Sequence, residues 1–462
     1  MALGQRVGAR QKAMWVATDD LPRSPGHVFY DKLNGVLKSA DFDGKVEDIC
    51  APYYADGRGR PSIPPGNYFR MLLIGYFEGI GSQRGVAWKC RDSLAVREFL
   101  GVRLDEASPD HSSLTRIRQR LPIEVHLDVF NLVLELAREH GLMKGRTVAI
   151  DATTLEANAS MQTIRRKADS KTWRKYLRRL AKESGIETPT DDDLRRFDRN
   201  RPKRVSNKEW ESPSDPDARI ARMKNGSTHL AYKAEHAVDL DTELILAAVV
   251  HPADRGDTAS VMETLIQAQL NTMEAGSETS IEALVADKGY HKAETLADLE
   301  SCGVRTYIPE RKSKTKRRWT DKPDGWRETF HGNRRRCKGE RGKRLGRRRC
   351  EVAERSFAHL CDSGGARRTG VRGLTEVGKR YMIQAAGFNL SVLMRKLFGV
   401  GKPRAMADTS ATLMSALASC FSSLCAHMSI HNVSRQFARV SWRYISADTR
   451  KRNVLSGYTS AA

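Results

Sequence analysis

From Arg146 onward, short apolar runs rich in β-branched residues alternate with longer segments of helical spacing, and this alternation restricts the fold more than any other feature. RTVAIDATT (146–154) reads as a buried strand. HLAYKAEHAVDL (229–240) and ELILAAVVH (243–251) flank a short polar turn and read as a hairpin. SVMETLIQAQLNTM reads as a helix, IEALVAD (281–287) as a strand, HKAETLADLESCG as a helix closed by Gly303, and VRTYIPE (304–310) as a further strand. Strand, hairpin, helix, strand, helix, strand predicts a mixed α/β sheet with helices packed against it. A polar insertion over residues 156–228, with a basic helix near Met161–Gly185 and an acidic-Pro turn at Thr188–Asp193, interrupts the series.

The chain upstream carries no strand pattern. Ile63-Pro64-Pro65-Gly66 opens a helix whose apolar residues Tyr68, Phe69, Leu72, Leu73, Tyr76 and Phe77 recur at helical spacing until Gly79 and Gly81. Helices are expected at Gln83–Arg91 and Leu94–Leu100, then one in LTRIRQRL capped by Ser112 or Ser113, then a long one over Val125–His140. Arg116, Arg118 and Arg120 make the third of these basic. Both a helix-turn-helix-like DNA contact and a plain bundle with a solvated basic face fit that pattern. The expected division is an N-terminal segment (1–60), an all-helical domain of DNA-binding type (61–140), a catalytic-type α/β domain (141–400) with insertions at 156–228 and 311–349, and a helical C-terminal tail (401–462).

Charge narrows the partner class. The 462 residues carry 79 Lys and Arg against 56 Asp and Glu, a formal net charge of +23, which favours a polyanion, above all nucleic acid. A hydrophobic fraction of 40% excludes a fully disordered chain. Eight cysteines without a CxxC pair suit reduced thiols; Cys420, Cys425, His427 and His431 have only loosely ligand-like spacing. The opening MALGQRVGAR has no apolar secretory core, and the uncharged stretch Thr409–Ser434 is too polar for a membrane span, so a soluble cytoplasmic protein is expected. Residues 311–349 are the most biased: 18 Lys and Arg against four acids, with Trp319, Trp326 and Phe330 interleaved. Such a run is commonly a solvated arm, but interleaved aromatics favour phosphate contacts with base or sugar stacking.

Three acids stand out. Asp151 lies inside Val148-Ala149-Ile150-Asp151-Ala152, where an ionised carboxylate is costly unless paired or metal-bound. Asp287 ends a strand, a favoured place for ligand-holding groups, although it would also cap the following turn. In CEVAERSFAHLC the apolar stripe Ala353, Phe357 and Leu360 places Glu354 about 90° from its centre and Glu351 nearly opposite, so Glu354 is the acid able to reach a site. Three convergent carboxylates form an oxygen site for Mg²⁺ or Mn²⁺, and two such ions roughly 3.5–4 Å apart serve phosphodiester chemistry.

VAIDATTLEAN, VADKGYHKAETL and ERSFAHL, with GGARRTGVRGL, AAGFNL, SPDHSSLTRIRQRL and DPDARIARMKNG, resemble the DDE transposases of bacterial insertion sequences across most of the chain. The resemblance implies an RNase H-like catalytic domain, with Asp151, Asp287 and Glu354 as its acids and Mg²⁺ or Mn²⁺ ligands. It implies cleavage of DNA at terminal inverted repeats and strand transfer into target DNA by a homo-oligomer. The family signature places Tyr, Arg and Lys around the Glu; counted from Glu354 those positions hold Arg347, Cys350 and Cys361, and counted from Glu351 Arg347 fits the Arg while Ala358 replaces the Lys. Arg347, Arg348, Arg349, Arg355, Arg367 and Arg368 are then the candidates for positioning DNA, with Trp319 and Trp326 as stacking groups. His251, Asp257, Lys288 and His291 fit supporting or DNA-contact roles, and each equally fits a structural or solvated residue. The rival readings are a non-catalytic DNA-binding derivative of a transposase, a hydrolytic nuclease of the same fold, and a basic RNA-binding protein.

Overall fold

The helical region is assembled before the sheet begins. The computed structural model describes residues 17, 21, 23–55, 62–166, 171–200, 206–223, 226–312 and 318–406; the Cys420–His431 cluster, the Thr409–Ser434 stretch and nearly all of the expected tail lie outside the described residues. His27–Pro403 forms one compact unit. Helices α1 (Pro25–Ser39), α2 (Phe42–Cys50), α3 (Pro65–Glu78), α4 (Gln83–Asp92), α5 (Leu94–Phe99), α6 (His111–Arg120) and α7 (Ile123–Glu139) follow one another. Pro65 suits the first turn of α3, where its missing N–H costs nothing, and Gly79 at φ 70° ends it.

Aromatic packing holds these helices together. Phe29 meets Phe77 at 5.2 Å between ring centroids, and Tyr30 meets Phe99 at 4.9 Å. The Arg70 guanidinium, almost fully buried, grips Asp43 through two hydrogen bonds of 2.8 and 2.7 Å and lies over the Phe99 ring. The cap of α6 is Asp110, whose side chain accepts from the Ser112 N–H, and not Ser112 or Ser113. An aspartate ahead of the serines satisfies that amide first, so the helix starts earlier than its sequence suggests.

The sheet opens with β1 (Thr147–Glu156). The insertion after it contains β2 (Arg165–Arg166), α8 (Lys171–Glu183), α9 (Asp191–Asn200) and β3 (Trp210–Glu211), with β2 and β3 paired as a small ribbon. Leu177, Ala181 and Leu194, with Ile186 and Phe197 against them, give the two helices a small core of their own. The chain continues through β4 (Arg219–Arg222), β5 (Thr228–Asp239), β6 (Ile245–Pro252), α10 (Asp257–Glu274), β7 (Ala283–Ala286), α11 (Ala293–Ser301), β8 (Arg305–Tyr307), α12 (Trp326–Lys338), α13 (Glu340–Phe357) and α14 (Leu374–Phe398).

Strand order is β4-β5-β1-β7-β8, and β6 also pairs with β5, on residues beyond those that β4 takes. The β5–β6 and β5–β1 pairs are antiparallel, while β7 and β8 run parallel to β1. That is the mixed RNase H-like sheet expected, with the hairpin and both later strands where the sequence pattern puts them. The insertion enters at the end of β1 and returns through β4. The second biased stretch is largely ordered helix: α12 packs on α11 and β8, and α13 crosses the sheet. Phe330 and Asn333 on α12 and Val352 on α13 are buried, so these helices are not a solvated arm; their charges share a surface with an apolar side that packs.

α14 joins the helical region to the sheet. A Cβ at Gly387 would stand 2.8 Å from the Tyr76 ring on α3, so glycine permits the close approach. Asn389 pins β6 by bonding both the Ile245 N–H and C=O. Among the described residues no helix is long and apolar enough to cross a membrane.

Candidate active site

Register brings the first two acids together. In the parallel β1–β7 ladder Ile150 stands opposite Ala286, and the next residues along the chain are Asp151 and Asp287. Asp151 is also opposite His236 on β5, which sets its face of the sheet. Strand alternation sends His236 and Asp151 toward α13, and Glu235 toward α10. His236 is fully buried, stacked on Phe357 at 4.0 Å, with Ser356 Oγ at 2.9 Å and Tyr381 OH at 2.7 Å. Burial pushes its imidazole down to about 3, so it is neutral.

Asp151 is engaged by a cation. The Arg349 Nη1 donates to its Oδ2 at 2.6 Å, with the two side chains 14% and 24% exposed, and its Oδ1 accepts the Ala152 N–H. Arg349 lies one helical turn before Ala353 and two before Phe357, on the sheet-facing stripe of α13. Asp287 caps a 3-10 turn (Lys288–Tyr290) by accepting the Gly289 N–H at 2.7 Å. Gly289 sits between two acids: a Cβ there would lie 2.6 Å from Asp257 Oδ2 and 2.7 Å from Asp287 Oδ1.

Glu354 sits on the flank of α13, exposed, and its carboxylate has no hydrogen-bond or ion partner among the described residues. Glu351 is also exposed, but it is ion-paired with Arg348 and Arg355, whose charges hold its carboxyl below the usual range. Among the described residues, no group of three or more His, Cys, Asp or Glu side chains stands close enough to share an ion. Asp151 and Asp287 are adjacent; Glu354 is not drawn in with them.

Behind Asp287 lies a buried polar network. Glu235, fully buried, accepts from Tyr290 OH at 2.8 Å and Ser260 Oγ at 2.9 Å, and Thr264 donates to its other oxygen. Lys233 Nζ lies 3.2 Å from Glu235 and 2.8 Å from Asp257. His251 stands 3.8 Å from Glu235, with its pKa lowered by burial. Burial and the Glu235 charge push the Tyr290 phenol far upward, so it remains a donor. The network ties β5, β6 and α10 to the turn that bears Asp287.

Several arginines expected to contact DNA have other partners. Arg118 is buried, with Glu376 on its Nε and the Lys379 ammonium on its carbonyl, so it docks α6 onto α14. Arg348 and Arg355 both bind Glu243 in the β5–β6 turn and anchor α13. Trp319 packs edge-on against Phe330 at 5.2 Å, and Trp326 is half-buried at the start of α12, within 6.0 Å of Lys322. Arg116, Arg120 and Arg347 remain exposed, Arg120 lying over the Tyr54 ring.

Sequence reasoning missed Lys233 and Glu235, whose signal was two opposite charges at i, i+2 inside the apolar strand YKAEHAV. It also missed that Arg349 extends the stripe used to select Glu354.

Residues 18–120 match the family model described as Transposase domain (DUF772), and residues 142–390 match the one described as Transposase DDE domain. Neither curated proteins nor solved structures yielded a match.

Proposed function

The chain belongs to the DDE transposase family, and from that premise we propose that it cuts DNA at the terminal inverted repeats of its element and joins the freed ends to a target. The observation that carries the proposal is the side-by-side placement of Asp151 and Asp287 at adjoining positions of two parallel strands, beneath a helix that bears both Arg349 and the unpartnered Glu354. Family members generally use divalent metal ions. The donor set here suits a hard cation: the acids are oxygen-only, and Asp151 already attracts a positive group in Arg349.

In this reading Asp151 and Asp287 would hold a pair of Mg²⁺ or Mn²⁺ ions, and Glu354 would be the third ligand. Such ions activate an attacking oxygen and stabilise the leaving oxygen of a phosphodiester. The chain's own groups do the positioning. Releasing Asp151 frees the Arg349 guanidinium, which then has a phosphate oxygen as its natural partner. The Glu235 network holds the Asp287 turn against β5 and α10 so that the carboxylate keeps its place. The Arg348–Glu243–Arg355 anchor fixes the end of α13 next to Glu354.

The test is cleavage of a labelled duplex bearing an inverted repeat from the flanks of the encoding gene. Wild type should cut in Mg²⁺ and not with chelator, and Asp151→Asn should bind the end without cutting it. Normal cutting by Asp151→Asn would refute the assignment. Strand-transfer product from pre-nicked ends separates a transposase from a hydrolytic nuclease.

A further inference from the structure

A cleft of about 400 Å³ opens beyond the far end of β1, away from the carboxylates, where three distant stretches of chain converge. Arg165 comes from the insertion, Ser214 from the return toward β4, and Arg368 and Arg372 from the loop between α13 and α14, while Asn158 and Thr163 complete the wall. The arginine loop is fastened to β1: Glu156 N–H bonds the Arg367 carbonyl at 2.9 Å, and Thr369 N–H bonds the Glu156 carbonyl at 2.8 Å.

The lining contains arginines and no acid. Glu156 stands at the neighbouring end of β1, 3.6 Å from Arg368 Nε and 3.7 Å from His229, and Glu211 stands opposite Arg165 in the β2–β3 ribbon. Arg372 donates its Nε to the Asn158 carbonyl and keeps both terminal nitrogens available. Arg165 is exposed and has no ion partner among the described residues. Arg165 and Arg372, with Arg368 held only loosely by Glu156, leave positive charge around one concavity, and their planar donors match the paired oxygens of a phosphate. The hydroxyls of Ser160, Thr163 and Ser214 line the same wall.

We infer that this cleft, lined by Arg165, Arg368 and Arg372, binds a backbone phosphate of the duplex whose scissile bond lies at Asp151 and Asp287. The inference rests on the proposed function for the reaction, but the cleft itself stands on its own geometry. Five residues of β1 lead from Asp151 to Glu156, a run of roughly 17 Å at about 3.3–3.4 Å per residue. Phosphates of one strand advance about 3.4 Å each along the duplex axis, so on a duplex lying along β1 the bound phosphate would sit on the order of five nucleotides from the reacting one.

The experiment measures binding by fluorescence anisotropy, using a fluorescein-labelled duplex of about 30 base pairs and arbitrary sequence, with chelator, from about 50 to 300 mM KCl. The full chain is compared with the triple variant R165A/R368A/R372A, the triple lysine variant, and R165A alone. The alanine triple should bind about tenfold more weakly near 100 mM salt, and its log–log salt slope should fall by about 0.9, the value for one phosphate that is no longer neutralised. The lysine triple should regain most of the slope. R165A removes an exposed side chain, so the fold is kept, and it should show a smaller loss in the same direction.

Unchanged affinity and slope in R165A, and in the alanine triple at wild-type melting temperature, would overturn the inference. So would displacement of the duplex by low-millimolar inorganic phosphate in wild type but not in the alanine triple, which would mark a free-phosphate site. Asp151→Asn serves as the separate control. Wild type that binds with the expected slope yet fails to cut in Mg²⁺ removes the reaction and leaves the cleft. Normal cutting with an unaltered slope in the variants does the reverse.

Discussion

Replacing Arg349 with alanine should weaken the metal-free protein and tighten its hold on divalent ions. The Arg349–Asp151 pair is short, 2.6 Å, and its side chains are 14% and 24% exposed, between the exposed pairs that contribute little and the buried pairs whose disruption costs about 3–5 kcal/mol. An intermediate of about 1–2 kcal/mol is the reasonable figure. Arg349→Ala leaves Asp151 beside Asp287 without the cation that offsets the two charges, which lowers metal-free stability by about that amount. A divalent ion that must displace Arg349 in wild type meets no such competitor in the variant. At about 1.4 kcal/mol per tenfold, its Kd should tighten roughly 5- to 30-fold. Mn²⁺ titration by calorimetry, with denaturant unfolding in chelator, reads both quantities. A folded Arg349→Ala with unchanged or weaker Mn²⁺ affinity would refute the view that arginine and metal contend for Asp151.

Three other outcomes follow from the packing. Glu376→Ala strips the acid from buried Arg118 and Lys379 and should cost about 2–4 kcal/mol in urea unfolding, with Asp151-dependent metal binding intact. Glu235→Ala leaves Lys233 short of a partner and removes acceptors for Tyr290 and Ser260; a loss of about 3–5 kcal/mol is expected, against about 1–2 for Tyr290→Phe. Acid should destabilise the fold through His236 and through His126, a fully buried residue of α7 beside Tyr68 OH and the Pro122 carbonyl; burial pushes their folded pKa values down to about 3 and about 4. Both are depressed below the unfolded value of about 6.5, so the unfolded chain binds the extra protons; the stability they contribute is present above that pH and falls away as acid approaches the folded values. By about pH 5 the loss is about 2 kcal/mol for each histidine, and a flat stability profile between about pH 6.5 and 5 would contradict their burial as neutral groups.

Much of the architecture follows from local pattern. The strand runs 146–154, 229–240, 243–251, 281–287 and 304–310 became β1, β5, β6, β7 and β8 with ends shifted by a few residues, because alternation and β-branching act over neighbours in the chain. The apolar stripe of CEVAERSFAHLC was legible for the same reason, and it left Glu351 in solvent, where the structure has it. Charge counting was less informative. It marked residues 311–349 as basic but not that Phe330 and Asn333 bury one side of α12, since a count has no direction.

Reading along the chain was enough to assign residue types to elements: an aspartate within β1, another closing β7, a glutamate on α13, and arginines nearby. Which of these groups meet was settled by packing. Register placed Asp151 next to Asp287, the crossing of α13 gave Arg349 to Asp151 and left Glu354 unpartnered, and the docking of α14 turned Arg118 from a surface cation into a buried one. The physical reason is that periodicity is set by bonds between near neighbours, whereas ion pairs form between groups far apart in the chain whose meeting depends on how whole elements pack.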